Sequence, residues 1–128
     1  LQHEHPLAAL QPVATSDELA DAARLVRDIH VEQELRSYIV ALVRATREHD
    51  AIELGVSPRG TLALYRASQA MAALRGRAYA TPDDVKAVVL PVLNHRLLLS
   101  PDARLRGRSA SGILDEILES LRVPVELA

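Results

Sequence analysis

The 128-residue chain has no cysteine, phenylalanine or tryptophan, and only one methionine and three tyrosines. Without thiols it forms neither disulfides nor thiolate metal sites, and the natural setting to expect is a reducing, cytoplasmic one. With so few aromatics there is no platform on which nucleic-acid bases could stack, and the core has to be aliphatic. No run approaches the roughly 18 apolar residues of a membrane span, and no signal peptide opens the chain. Charge of one sign is also missing. A net charge of −2 argues against binding nucleic acid through bulk electrostatics, so no nucleic-acid partner is expected.

Catalytic signatures are absent as well. There is no G-x-x-x-x-G-K-[ST] loop to cradle a nucleoside triphosphate and no H-E-x-x-H pair of metal-binding histidines. Gly55-Val56-Ser57-Pro58-Arg59-Gly60 departs from a nucleophile elbow because the second glycine is one residue too far along and Pro58 begins a helix. The pairs Asp83-Asp84 and Asp115-Glu116 are adjacent in sequence, so they diverge on a helix and cannot face one another across a substrate. His3 and His5 lack further convergent ligands, so no metal site is assigned. By itself the chain is expected to be catalytically inactive.

What is present is a series of helices, organised around Gly55 to Gly76. Ser57 is suited to cap the first turn, Pro58 to stand at the first helical position, and Gly76 to close the carbonyl end in a left-handed conformation. Leu64, Ala67, Met71 and Leu74 step by three and four and predict the buried stripe, with Arg66, Ser68 and Gln69 keeping water on one side. Arg59 is out of place: a cation at the positive pole of a helix is disfavoured by roughly 0.3–1 kcal/mol unless an anion joins it. From the letters alone, a solvated surface arginine and an anion-binding arginine both remain open.

Before this helix, the spacing predicts one helix from Thr15 or Ser16 to about His30, with a stripe of Leu19, Ala22, Val26 and Ile29. It predicts a second from about Glu32 to Glu48, with Leu35, Ile39, Leu42 and Val43 inward. After it, Thr81-Pro82-Asp83-Asp84 is a strong helix start, with Val85, Val88 and Val89 inward, and Pro91 should kink or restart the helix. Leu99 to Ala110 reads as an irregular loop whose Arg104, Arg106 and Arg108 would project to one side if extended. A last helix begins at Ser109 or Ser111 and carries Ile113, Leu114, Ile117, Leu118 and Leu121. The expected fold is all-α, a compact bundle of five to seven helices with negligible strand. Residues 1–14 read as a linker and residues 15–128 as one helical domain. Because the chain opens on Leu1 and its only methionine is Met71, it is expected to be a piece of something longer, or processed.

Leu54-Gly55-Val56-Ser57-Pro58-Arg59, then Leu74-Arg75-Gly76-Arg77-Ala78-Tyr79-Ala80-Thr81-Pro82-Asp83-Asp84-Val85, then Asn94-His95-Arg96-Leu97 resemble the C-terminal helical lid of a MoxR-family AAA+ ATPase. His5 to Val13 and Tyr38 to Arg47 are similar to what leads into that lid. The resemblance implies that Arg59 is the sensor 2 arginine, reaching the γ-phosphate of ATP on a separate Walker-bearing subdomain, with Ser57 and Pro58 at the same phosphate-facing edge. It implies ATP and Mg2+ as cofactors of the parent protein and none for this piece. It further implies a homo-oligomeric ring, a hexamer by expectation, acting with von Willebrand factor A domain proteins to assemble or activate other complexes. A different class stays in view, a histone-fold-like or other helical module for protein or DNA interaction, because Thr81 to Val85 also resembles the start of a histone fold's last helix. The acidic balance and Pro91 count against it.

Overall fold

The computed structural model describes residues 6–124 and has six α-helices among them, most of them opened by a capping side chain; His3 and His5 lie outside the described residues. After a 3-10 turn at Pro6–Ala9, helix α1 spans Ser16–Val26. Thr15 accepts from the Glu18 amide at 3.2 Å, and the Glu18 carboxylate accepts from the Thr15 amide at 2.7 Å, a reciprocal capping box. Helix α2 covers Gln33–Glu48, α3 Pro58–Leu74 and α4 Pro82–Leu93, followed by a 3-10 turn at Asn94–Arg96. Helices α5, Pro101–Leu105, and α6, Ala110–Ser120, complete the bundle. The all-α expectation holds, with one small addition. Strand β1, Ile52–Leu54, pairs antiparallel with β2, Leu98–Leu99.

The core is aliphatic, as the composition requires. Leu35, Ile39 and Leu42 of α2 meet Leu64 of α3, Val85, Val89 and Leu93 of α4, and Ile113, Leu114 and Ile117 of α6. Helix α3 packs most extensively on α4, in keeping with its expected central place.

Its buried face, however, matches the predicted one only in part, sharing Leu64. The seam runs through Gly60, Leu64, Ser68 and Ala72, in steps of four, joined by Gln69. Ala67 and Met71 are partly buried against the core, but Leu74 is 83% exposed. Leu74 lies about 200° around the helix from Ala72, at 3.6 residues per turn, and so points to water. Ser68 and Gln69, expected outside, are buried because their polar atoms are satisfied. Ser68 donates to the Leu64 carbonyl at 2.8 Å, and the Gln69 amide donates to the carbonyls of Arg27 at 3.2 Å and Ile29 at 2.8 Å.

Three further expectations change. Helix α1 stops at Val26 rather than near His30, because His30 leaves to form a parallel bridge with Tyr79, through His30 N to Ala78 O and Ala80 N to His30 O, both at 2.9 Å. None of α1 is fully buried, and Leu19 and Ala22 of its stripe are exposed. Pro91 does not divide α4, which continues to Leu93. Pro91 and Ala87 are both exposed, so the Ala87 carbonyl deprived of its helical donor faces water. The predicted loop after Leu99 contains α5, capped by Ser100, which accepts from the Ala103 amide at 3.3 Å. Its arginines therefore diverge: Arg106 pairs with Asp102 at 3.0 Å and Arg108 with Glu116, while Arg104 is exposed.

Candidate functional site

The N-terminus of α3 is held in place from α2. Thr46 is fully buried; its hydroxyl donates to the Val43 carbonyl at 2.6 Å and accepts from the Val56 amide at 3.0 Å. Arg47 Nε donates to the Val56 carbonyl at 2.8 Å. Both polar groups of buried Val56 are thus clasped by the end of α2. Gly55 lies against the backbone of Arg47 so closely that a Cβ there would meet Arg47 Cα at 2.8 Å, and one at Gly60 would meet Val56 Cγ1 at 2.5 Å. These close approaches explain glycine on either side of Ser57-Pro58-Arg59.

Ser57 is the cap, accepting from the Gly60 amide at 3.3 Å, while its carbonyl takes the Thr61 amide at 3.1 Å. Pro58 is the first helical residue, and the first turn contains no acidic side chain. Arg59 projects into solvent and makes no hydrogen bond or ion pair among the described residues. The stem of Arg96 lies over the same turn, its Cδ 3.4 Å from where a Gly60 side chain would begin, and its Nε donates to the Val92 carbonyl at 2.9 Å. Arg59 and the stem of Arg96 thus stand at the first turn of a 17-residue helix. A helix start with no acidic side chain in its first turn has a positive pole that favours an anion.

The family model of the AAA lid domain matches residues 44–117, from the end of α2 into α6. The chain belongs to the AAA lid domain family. This lid is 38% identical over 125 residues to the uncharacterised protein YeaC of Bacillus subtilis, covering 98% of the lid and 39% of YeaC. It is 31% identical over 128 residues to the chaperone MoxR1 of Mycobacterium tuberculosis, covering 93% of the lid and 34% of MoxR1. A crystal structure from Cytophaga hutchinsonii, of a protein described as a candidate ATPase, superposes with a TM-score of 0.84 at 28% identity, over 90% of the lid and 38% of that chain. The lid therefore spans little more than a third of the relatives it matches, and its likeness to them is of the MoxR type.

The other end of α3 meets a buried carboxylate bound by two arginines. The helix closes in a Schellman motif, with Gly76 at φ 72°, Gly76 N bonded to Ala73 O at 2.9 Å and Arg77 N to Ala72 O at 3.0 Å. The turn delivers Arg75 and Arg77 onto Asp84, in the first turn of α4. Arg77 binds both oxygens of the Asp84 carboxylate at 2.7 Å, Arg75 adds a third contact at 2.8 Å, and the Thr81 amide and hydroxyl donate at 2.8 and 3.0 Å. Burial alone would push this carboxyl up. The hydrogen bonds from Arg77 and Thr81, with the charge of Arg77, outweigh burial and hold its pKa at about 2. Asp84 is thus a structural anion and is committed to the α3–α4 joint.

Sequence reasoning singled out Ser57, Pro58 and Arg59, which the fold brings together, and missed Thr46 and Arg47 as the residues that hold them. The signal was available: Thr46 extends the Ile39, Leu42, Val43 stripe of α2, and a threonine on an apolar face requires a partner there.

Proposed function

We propose that this lid supplies Arg59 as the sensor 2 arginine of a MoxR-type AAA+ ATPase, contacting the γ-phosphate of ATP bound on a separate α/β subdomain. One observation carries the reading: Arg59 is an exposed cation at the positive pole of α3, with no counter-charge in the first turn and no partner among the described residues. A planar guanidinium donates at two points to phosphate oxygens, and phosphoryl transfer responds to positive charge placed there. Ser57 and Pro58 serve by shaping the turn. The Ser57 hydroxyl accepts from the Gly60 amide as the cap, which leaves its own proton available for donation at the same phosphate-facing edge.

In this reading residues 1–14 are the linker from the ATPase subdomain and residues 15–128 the lid. The same reading puts Mg2+ together with ATP on the separate α/β subdomain. The whole protein would be an ATP-hydrolysing homo-oligomeric ring, hexameric by family resemblance, working in the cytoplasm. Its role would be chaperone-like, assembling or activating other complexes together with von Willebrand factor A domain proteins. None of the described helices is long and apolar enough to cross a membrane.

The test is steady-state ATP hydrolysis by the complete protein. Arg59→Ala lowers turnover by roughly ten- to a thousand-fold, the scale of removing one oxyanion donor. Arg59→Lys recovers part of it, because an ammonium lacks the planar two-point contact. The melting temperature stays unchanged in both. Wild-type turnover in a well-folded Arg59→Ala protein would refute the assignment.

A further inference from the structure

Val56 is the residue through which α2 holds the start of α3, and each of its sides is taken. It is fully buried; its amide donates to Thr46 Oγ1 at 3.0 Å, its carbonyl accepts from Arg47 Nε at 2.8 Å, and its Cγ1 fills the space that a Gly60 side chain would need. The stem of Arg47 lies against Gly55, where a Cβ would meet its Cγ at 2.7 Å. Arg47 makes no other hydrogen bond and no ion pair among the described residues. Its charge is therefore unused within the lid, while its Nε is engaged on the Val56 carbonyl.

Few degrees of freedom separate that carbonyl from Arg59. A peptide unit is planar, so the bond from Arg47 orients the plane that ends at the Ser57 nitrogen. Between this plane and Pro58 stand only the two dihedrals of Ser57, at φ −73° and ψ 164°, and the Pro58 ring locks the next φ. In the first turn of α3 the one buried residue is Gly60, which rests on Val56 itself and on the stem of Arg96. The next buried position is Leu64, a full turn further on. We infer that Arg47 is a positioning residue for Arg59: through the Val56 carbonyl it sets the direction in which α3 begins, and so aims the guanidinium at the phosphate. The inference rests on the phosphate reading of Arg59. A displacement of about 1 Å in a group that meets the transition state can cost on the order of a hundredfold in rate, so the aim matters. What Arg47 supplies is a donor at a fixed place. A glutamine carries an amide nitrogen the same number of bonds from its Cα as the Nε of arginine, without the charge.

The test compares kcat for ATP hydrolysis by the full-length protein carrying Arg47→Met, Arg47→Gln, Arg59→Ala, or Arg47→Met with Arg59→Ala, at a temperature where circular dichroism shows each to be folded. Arg47→Met keeps the stem and removes the donor; kcat is expected to fall at least about fivefold. Arg47→Gln restores the donor without the charge and recovers most of that loss. In the Arg59→Ala background, Arg47→Met changes kcat by less than about twofold, because the group it aims is gone. A merely structural arginine would lower kcat by the same factor in both backgrounds, and that result would overturn the proposal. Arg47→Gln as impaired as Arg47→Met would overturn it too, by making the charge itself the requirement. Wild-type turnover of Arg47→Met beside a slow Arg59→Ala would refute the positioning role alone, whereas wild-type turnover of Arg59→Ala would refute the phosphate reading and this inference with it.

Discussion

Replacing Asp84 by Asn should be the most damaging polar substitution in the lid, and its cost can be worked from the joint it closes. Asp84 is fully buried and accepts five hydrogen bonds, two of them from Thr81 and three from the guanidinium groups of Arg75 and Arg77. Its pKa is lowered from 3.8 to about 2, which at 1.36 kcal/mol per unit makes the ionised form worth about 2 kcal/mol to the folded state. Breaking a buried pair by removing one charge costs roughly 3–5 kcal/mol, but Arg75 and Arg77 retain 43% and 25% of their exposure and can rehydrate. The loss should therefore fall near 3 kcal/mol, or a drop in Tm of roughly 10 °C for a chain of this length.

The sign with pH follows from the direction of the shift. A depressed carboxyl pKa stabilises the fold above the unfolded value of 3.8 and loses that contribution as pH falls towards 2. Melts followed by circular dichroism should show the gap between wild type and Asp84→Asn at its full size at pH 6–7 and narrowing by about 2 kcal/mol between pH 4 and pH 2. A gap below about 1 kcal/mol at pH 7, or one that does not change with pH, would refute the account of this joint.

Gln69→Leu keeps the volume but leaves the Arg27 and Ile29 carbonyls without their donor; it should cost about 2 kcal/mol and speed amide exchange across α1 and residues 27–30, readable by mass spectrometry. Tyr38→Phe should stabilise by about 1 kcal/mol in urea titrations, because the buried Tyr38 hydroxyl has no partner among the described residues. Burial raises the pKa of that tyrosine, so its contribution is present below pH 10 and weakens above it; the phenylalanine variant should lose less stability in alkali. Leu74→Ala should change stability by less than about 0.5 kcal/mol in the same titration, since the side chain is 83% exposed; a loss of 2 kcal/mol would restore it to the core.

Local signals in the sequence carried the helix boundaries well. Ser57-Pro58 begins α3, Gly76 ends it, Thr81-Pro82 begins α4 and Ser109 begins α6, because each boundary is satisfied by atoms within three or four residues of itself. The aliphatic faces of α2 and α6 were legible for a related reason: each helix presents a single apolar side. Helix α3 was not, since alanine surrounds it and periodicity cannot choose among several equivalent faces. What periodicity could not show is the bonding of Gln69 to the carbonyls of Arg27 and Ile29, 42 and 40 residues away in sequence. The strand pair Ile52–Leu54 with Leu98–Leu99 and the His30–Tyr79 bridge failed to show for the same reason of distance. At the candidate site, Arg59 was legible as a charge at the wrong pole, whereas the clasp of Thr46 and Arg47 on Val56 required the fold.

The joint at Asp84 ties the end of α3 remote from Arg59 to the first turn of α4. At 1.5 Å per residue the 17 residues of α3 span about 26 Å, so a tilt of about 5° around the Asp84 end sweeps Arg59 through about 2 Å. Under the proposed function, that is about the difference between a guanidinium in contact with a phosphate and one separated from it by a water. If Arg59 contacts a phosphate as proposed, a substitution at Arg75, Arg77 or Asp84 would detune that contact without touching it.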